Sequence, residues 1–231
     1  YKRHQPDRLI ANHQSFRNKW SNRLRMEIAT RGQTDPQTGR QGDVLIAIST
    51  SGNSKNVMKA IEKITSPDGL GMSPRRITVS TAGVAKQIKQ LGDDQVKFKL
   101  ALSLHAANDK KRNEIMPINE SNNIESLIEA LNYFYKKTGN EITFEYILFK
   151  DFNDSEKDAM ELVKIYRQVP ADLINVIEYN AIDRFPFDKP DEEGFERFVE
   201  ILQKNRVNVR IRRSRGKDID AACGQLANKD N

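Results

Sequence analysis

A single thiol, Cys223 in "DIDAACGQLANK", stands among small residues near the end of a 231-residue chain. One cysteine rules out an internal disulfide, so this thiol is kept either for its reactivity or for packing, since a small thiol sits well among alanines. A second group is hydroxyl-rich: Ser49, Thr50, Ser51 and Ser54 in "STSGNS" lie between the apolar run "GDVLIAI" and a helical segment starting near Asn56. Hydroxyls and backbone N–H groups at a helix N-terminus form a nest for an anion such as phosphate. A third group is scattered: Ser80 in "VSTAG", Ser103, Leu104 and His105 in "SLH", and Asn180 in "IEYN". Each has a plain structural alternative. Ser80 could cap the helix that follows, His105 could be a satisfied core histidine, and Asn180 could close a turn.

What unites the third group is its place relative to the elements. Short β-branched runs, at 43–50, 75–81, 99–106, 142–149, 173–180 and 207–213, alternate with segments of helical period such as "NVMKAIEKI", "VAKQIKQLG", "IESLIEALNYFYKKTG", "SEKDAMELVKIYRQV" and "EEGFERFVEILQKN". Asn122 or Asn123 is placed to start the third helix, Gly139 to stop it, and Asp154 or Ser155 to start the fourth. Strand then helix, repeated, predicts an α/β fold with a parallel sheet, either a closed or partial βα barrel or an open doubly wound sheet. In both, ligand chemistry gathers at the C-terminal ends of the strands, where Ser49–Ser54, Ser80–Gly83, Ser103–Asp109, Asn180 and Arg212–Gly216 fall.

Charge divides the chain. Residues 1–40 hold nine Lys or Arg against three acids, and that surplus of six is the whole net charge of +6; the other 191 residues balance 29 against 29. The first 40 residues therefore read as a basic arm, suited to tracking a phosphate backbone or else a solvated leader, and residues 41–231 as the globular part. No apolar run is long enough to cross a membrane, which predicts a soluble protein with no membrane partner. With no disulfide and no secretory leader pattern, a reducing cytoplasm is the expected compartment.

From Val57 onward the strand-end motifs "RRITVSTAG", "LALSLHAANDKKRNEIMPIN", "ITFEYILFKDFND", "INVIEYN" and "SRGKDIDAACGQLA" resemble, in order and interval, the radical S-adenosylmethionine (SAM) adenine-C2 methyltransferases of 23S rRNA and tRNA, the RlmN/Cfr family. The resemblance covers residues 56–229, about three quarters of the chain. It implies a partial (βα)6 TIM-like radical-SAM barrel lacking its first strand and cluster loop. It also implies that Ser80, Ser103, Leu104, His105 and Asn180 hold SAM, that Cys223 carries the methyl group, and that the partner is RNA. In that family adenine C2, which has no lone pair for polar transfer, is methylated by a radical route using a [4Fe–4S] cluster held by a CxxxCxxC loop, and a second cysteine releases the product. One cysteine cannot supply those thiolates, and neither His4 nor His13 has a spacing that would substitute. The expectation is a chain unable to perform radical catalysis as it stands, either separated from an upstream cluster segment or recombined.

A second departure falls at Gly42–Glu62, where the family carries Gly-Met-Gly-Glu-Pro. There this chain resembles instead the phosphate loop of SIS-type phosphosugar isomerases, with Ser49, Thr50, Ser51 and Ser54 as phosphate ligands. Two alternatives follow: a phosphosugar-binding protein, and a noncatalytic RNA-binding fragment using the basic arm and "RIRRSRGK". The isomerase resemblance lacks that group's catalytic Glu and His set and is the weaker.

Overall fold

The structure, a computed structural model, describes residues 28–30, 44–47, 54–180 and 186–213. Seven strands form one sheet in strictly sequential order: β1 (Ile28–Thr30), β2 (Val44–Ala47), β3 (Ile77–Thr81), β4 (Lys99–Ser103), β5 (Ile142–Leu148), β6 (Leu173–Glu178) and β7 (Val209–Arg212). β1 pairs antiparallel with β2, and every pairing from β2 to β7 is parallel. The helices are α1 (Ser54–Thr65), α2 (Ala85–Asp93), α3 (Asp109–Ile115), α4 (Ile124–Thr138), α5 (Glu156–Gln168) and α6 (Glu192–Lys204).

Sequential parallel order decides between the two architectures left open by the sequence. A doubly wound sheet reverses its strand order and carries helices on both faces. Here the order never reverses, and residues of α1, α2, α4, α5 and α6 all pack in one core cluster. Winding in one sense with the helices outside is the barrel arrangement, here partial. Where a first parallel strand was expected to be missing, the short antiparallel β1 borders β2 instead.

Local sequence explains the helix ends. The Asn123 side chain accepts from Ser126 N–H to start α4, and Gly139 ends it at φ 64. This is the left-handed stop that glycine adopts without steric cost. Ser155 opens α5 in a reciprocal capping box with Asp158. Asn122 does not serve α4; its Oδ1 accepts from Ala85 N–H at 2.8 Å, capping α2, whose N-cap Val84 has no side-chain acceptor.

The two faces of the sheet differ sharply. On the helix side Ile77, Val79, Leu100, Ile142, Phe144, Tyr146, Leu148, Ile174 and Val176 are all 0% exposed. They meet Leu131, Leu162, Phe198 and Leu202 from the helices, with Tyr146 stacked on Phe198 at 5.5 Å. The pleat then sends Thr78, Ser80, Ser103, Thr143, Glu145 and Asn175 to the opposite, polar face. The register keeps them together: Ser80 is level with Ala101, Ser103 with Glu145, and Glu145 with Asn175.

Candidate functional site

Ser80 and Ser103 converge at the C-terminal ends of neighbouring strands on the polar face. Their hydroxyl oxygens are 3.4 Å apart and both residues are half-buried. Ser80 is therefore not a helix cap. Two strands on, Asn175 donates from Nδ2 to Glu145 Oε1 at 2.7 Å, and Arg212 donates from Nη1 to Glu145 Oε2 at 2.8 Å. An ionised carboxylate only accepts, so the Glu145 bond fixes which end of the Asn175 amide is nitrogen. Asn175 Oδ1 is thereby committed as an acceptor, and it is the one buried side-chain polar atom without a partner among the described residues. An orphaned buried acceptor costs roughly 1–3 kcal/mol unless a ligand or water donates to it.

His105 follows β4 at φ 55, unusual for a side chain other than glycine. It is only 6% exposed, and its Nδ1 accepts from Ile147 N–H at 3.2 Å. Burial, and then the nearby Arg112 charge, lower its pKa from 6.5 to about 3. The imidazole is neutral at physiological pH, as its acceptor role requires. Its backbone is held equally firmly: Ala106 N–H donates to Leu104 O at 2.7 Å, closing a tight turn around His105, while Asn153 Nδ2 donates to His105 O at 2.7 Å. The ring thus matches the core-histidine alternative, and the backbone of Leu104–His105 shapes the strand end. Leu104 is buried, and Asn180 lies just beyond β6, half-buried.

Cys223 lies outside the described residues, as do Ser49, Thr50 and Ser51; Ser54 is the first residue of α1. The structure therefore brings Ser80, Ser103–His105 and Asn180 to one end of the sheet. Sequence reasoning missed Glu145 and Asn175, although their alternation with 0%-exposed apolar neighbours in "TFEYIL" and "LINVIE" marks polar residues turned to one face; it placed Arg212 at a strand end without the Glu145 partner that the fold supplies. Arg112 was missed as well, being indistinguishable by type from Lys110 and Lys111 beside it.

The polar face fits SAM, which brings N–H and O–H donors for the serine hydroxyls and for the Asn175 acceptor. A cluster does not fit the thiols of this chain, since the sequence has one cysteine, and no group of three His, Cys, Asp or Glu suited to a metal occurs among the described residues.

No protein-family profile matches the chain. Among curated proteins, the probable dual-specificity RNA methyltransferase RlmN of Christiangramia forsetii is 56% identical over 177 residues, covering 77% of this chain and 50% of that protein. The protein of the same name from Cytophaga hutchinsonii is 54% identical over 178 residues, covering 77% and 48%. The crystal structure of a radical SAM methyltransferase from Sphaerobacter thermophilus superposes with a TM-score of 0.72 at 38% identity, covering 75% of this chain and 50% of that one. A singly wound βα sheet with polar residues gathered on one face at its strand ends is thus a partial barrel of the radical-SAM methyltransferase class. The chain spans about half the length of the curated relatives it matches. Over that span it belongs to the RlmN dual-specificity RNA methyltransferase family.

Proposed function

We propose that this chain carries the SAM-binding part of an RNA adenine-C2 methyltransferase acting on 23S rRNA and tRNA. The observation that supports this most directly is the pairing of Ser80 with Ser103 on the polar face that also holds the orphaned Asn175 acceptor. Ser80, Ser103, Leu104, His105 and Asn180 hold SAM, and Cys223 is the methyl carrier. When bound, SAM supplies an electrophilic methyl group. The two hydroxyls orient the ligand's polar groups, the His105 turn sets the backbone beside them, and the Cys223 sulfur, as thiolate, is the nucleophile that takes the methyl as the sulfonium S–CH3 bond breaks and S-adenosylhomocysteine leaves. With one cysteine, the chain does not assemble a [4Fe–4S] cluster by itself, and completion of the radical reaction is outside its own means. RNA is engaged by the basic arm and the basic stretch from Arg210. No helix among the described residues is long and apolar enough to cross a membrane, and a cytoplasmic location accords with a substrate of this kind.

Titration calorimetry with S-adenosylhomocysteine tests the binding claim. The chain is expected to bind, and Ser80→Ala with Ser103→Ala to weaken binding by about tenfold, the worth of one or two hydrogen bonds. Failure of the unmodified chain to bind, combined with a rise in melting temperature on adding a sugar phosphate, would move the assignment to the phosphate-loop alternative.

A further inference from the structure

The largest fully buried side chain among the described residues is an arginine. Arg112, on α3, is 0% exposed. Its Nε donates to Leu104 O at 3.1 Å, Nη2 to Ala82 O at 2.7 Å and to Ser103 O at 3.2 Å, and Nη1 to Asn119 Oδ1 at 2.7 Å. Asn119 is held in turn, donating to Asp109 Oδ1 at 2.9 Å and to Asn113 Oδ1 at 2.6 Å. Burial lowers the Arg112 pKa to about 10, against the opposing pull of Asp109, so the group is charged at neutral pH.

Burying a guanidinium is costly, and a well-packed apolar residue often serves stability as well or better. What an apolar residue cannot do is receive three carbonyl groups where two parallel strands end and their ladder partners run out. Those carbonyls belong to the ends of β3 and β4: Ala82 stands two residues past Ser80, and the other two are Ser103 itself and the adjoining Leu104. One of them, Leu104 O, also closes the turn around His105. A three-residue turn with positive φ at its centre is the rarer, strained form and persists only where its surroundings hold it. The planar fork of arginine bridges both strand ends at once, which the single point of a lysine cannot. Gly83, at φ 98, belongs to the same device, because a Cβ there would come within 3.2 Å of Arg112 Nη2.

We propose that Arg112 is a positioning residue: its buried guanidinium ties the end of β3 to the strained Leu104–His105–Ala106 turn and so sets the spacing of Ser80 and Ser103. The role in ligand binding rests on the SAM reading above; the clamp itself does not.

Nuclear magnetic resonance of the full chain separates the two. In the unmodified chain the Arg112 Nε–H is expected to exchange slowly with solvent; a rapidly exchanging Nε–H would overturn the clamp without any variant. In Arg112→Lys and Arg112→Gln, the amides of Gly83, Leu104, His105 and Ala106 are expected to shift while those of Ile174 and Val176 stay in place. Loss of the charge in Arg112→Gln is also expected to raise the His105 pKa. Unmoved strand-end amides in a folded variant would sink the proposal. S-adenosylhomocysteine affinity is then compared with that of Leu131→Ala, a core control that loses stability without touching the strand ends. A loss of about tenfold or more in Arg112→Lys, against no more than about twofold in the control, supports positioning, since small misplacements of binding groups have effects of that order. Equal losses would reduce Arg112 to a structural residue. Absence of binding in the unmodified chain counts against the SAM reading and leaves the resonance result to decide the clamp.

Discussion

His105 shows how one buried side chain writes itself into the pH dependence of the whole. Its native pKa of about 3 lies below the ordinary 6.5, so the unfolded chain takes up a proton on this ring that the native chain refuses. The stabilising contribution is complete above about pH 6.5 and is lost as pH falls toward 3, at up to roughly 1.4 kcal/mol per pH unit. Between about pH 6.5 and 5, where most carboxylates are still ionised, urea midpoints of the unmodified chain should therefore fall with acidification. His105→Asn keeps an acceptor near the Nδ1 position and tolerates positive φ, and its midpoints should fall less steeply; an identical slope would mean that the ring titrates normally. Two glycines offer a second comparison. Gly139 has positive φ and open space about it, whereas Gly83 has positive φ and would bring an added Cβ within 3.2 Å of side-chain atoms of Leu102, Leu127 and Arg112. Gly139→Ala should cost about 1 kcal/mol from backbone strain alone. Gly83→Ala should cost roughly 2–4 kcal/mol, because overpacking adds to strain; urea midpoints of the two variants check the difference. At this scale the strand-end residues Ser80 and Ser103 were legible because motif and position agreed. Arg112 was not, since only the folded chain distinguishes it from two neighbouring lysines.

Elements were more legible than residues. All six strands expected from β-branched runs are present; β3 begins only after Arg75 and Arg76, which belong to a 3-10 turn. The five expected helices are present as well. α3 was missed: "DKKRNEI" has too little apolar periodicity to announce a helix, and it forms because Asn108 caps it and the buried Arg112 anchors it. β1 was missed because three residues inside a basic segment carry no strand signal of their own and acquire one only from β2. The cap of α5 permits a test at this scale. Ser155 accepts from Asp158 N–H, and the Asp158 carboxylate, 2.6 Å from Lys111 Nζ, answers Ser155 N–H. Ser155→Ala should lower stability by about 1 kcal/mol through loss of the cap, read as a shift of the urea midpoint at constant slope. No change would show that Lys111 and Asp158 hold the helix end unaided.

For the whole molecule, the basic arm and the sheet make separable contributions. Deleting residues 1–40 should weaken RNA binding and flatten its dependence on the logarithm of salt concentration, because fewer counterions are released. An unchanged slope would leave the arm without a part in RNA contact. Among the described residues the same deletion removes only β1 from the sheet, and amide exchange in β4, β5 and β6 should remain as slow as in the unmodified chain. That expectation follows from the strand order. A sheet in which every strand neighbours its predecessor behaves as a one-dimensional stack, with cohesion that is a sum over adjacent layers. Each βα layer can join the layers already formed as the chain leaves the ribosome, without waiting for a distant strand. The same arithmetic makes such a stack divisible: a boundary drawn between two layers forfeits one interface, and a segment matching about half the length of its relatives can still own a core of its own.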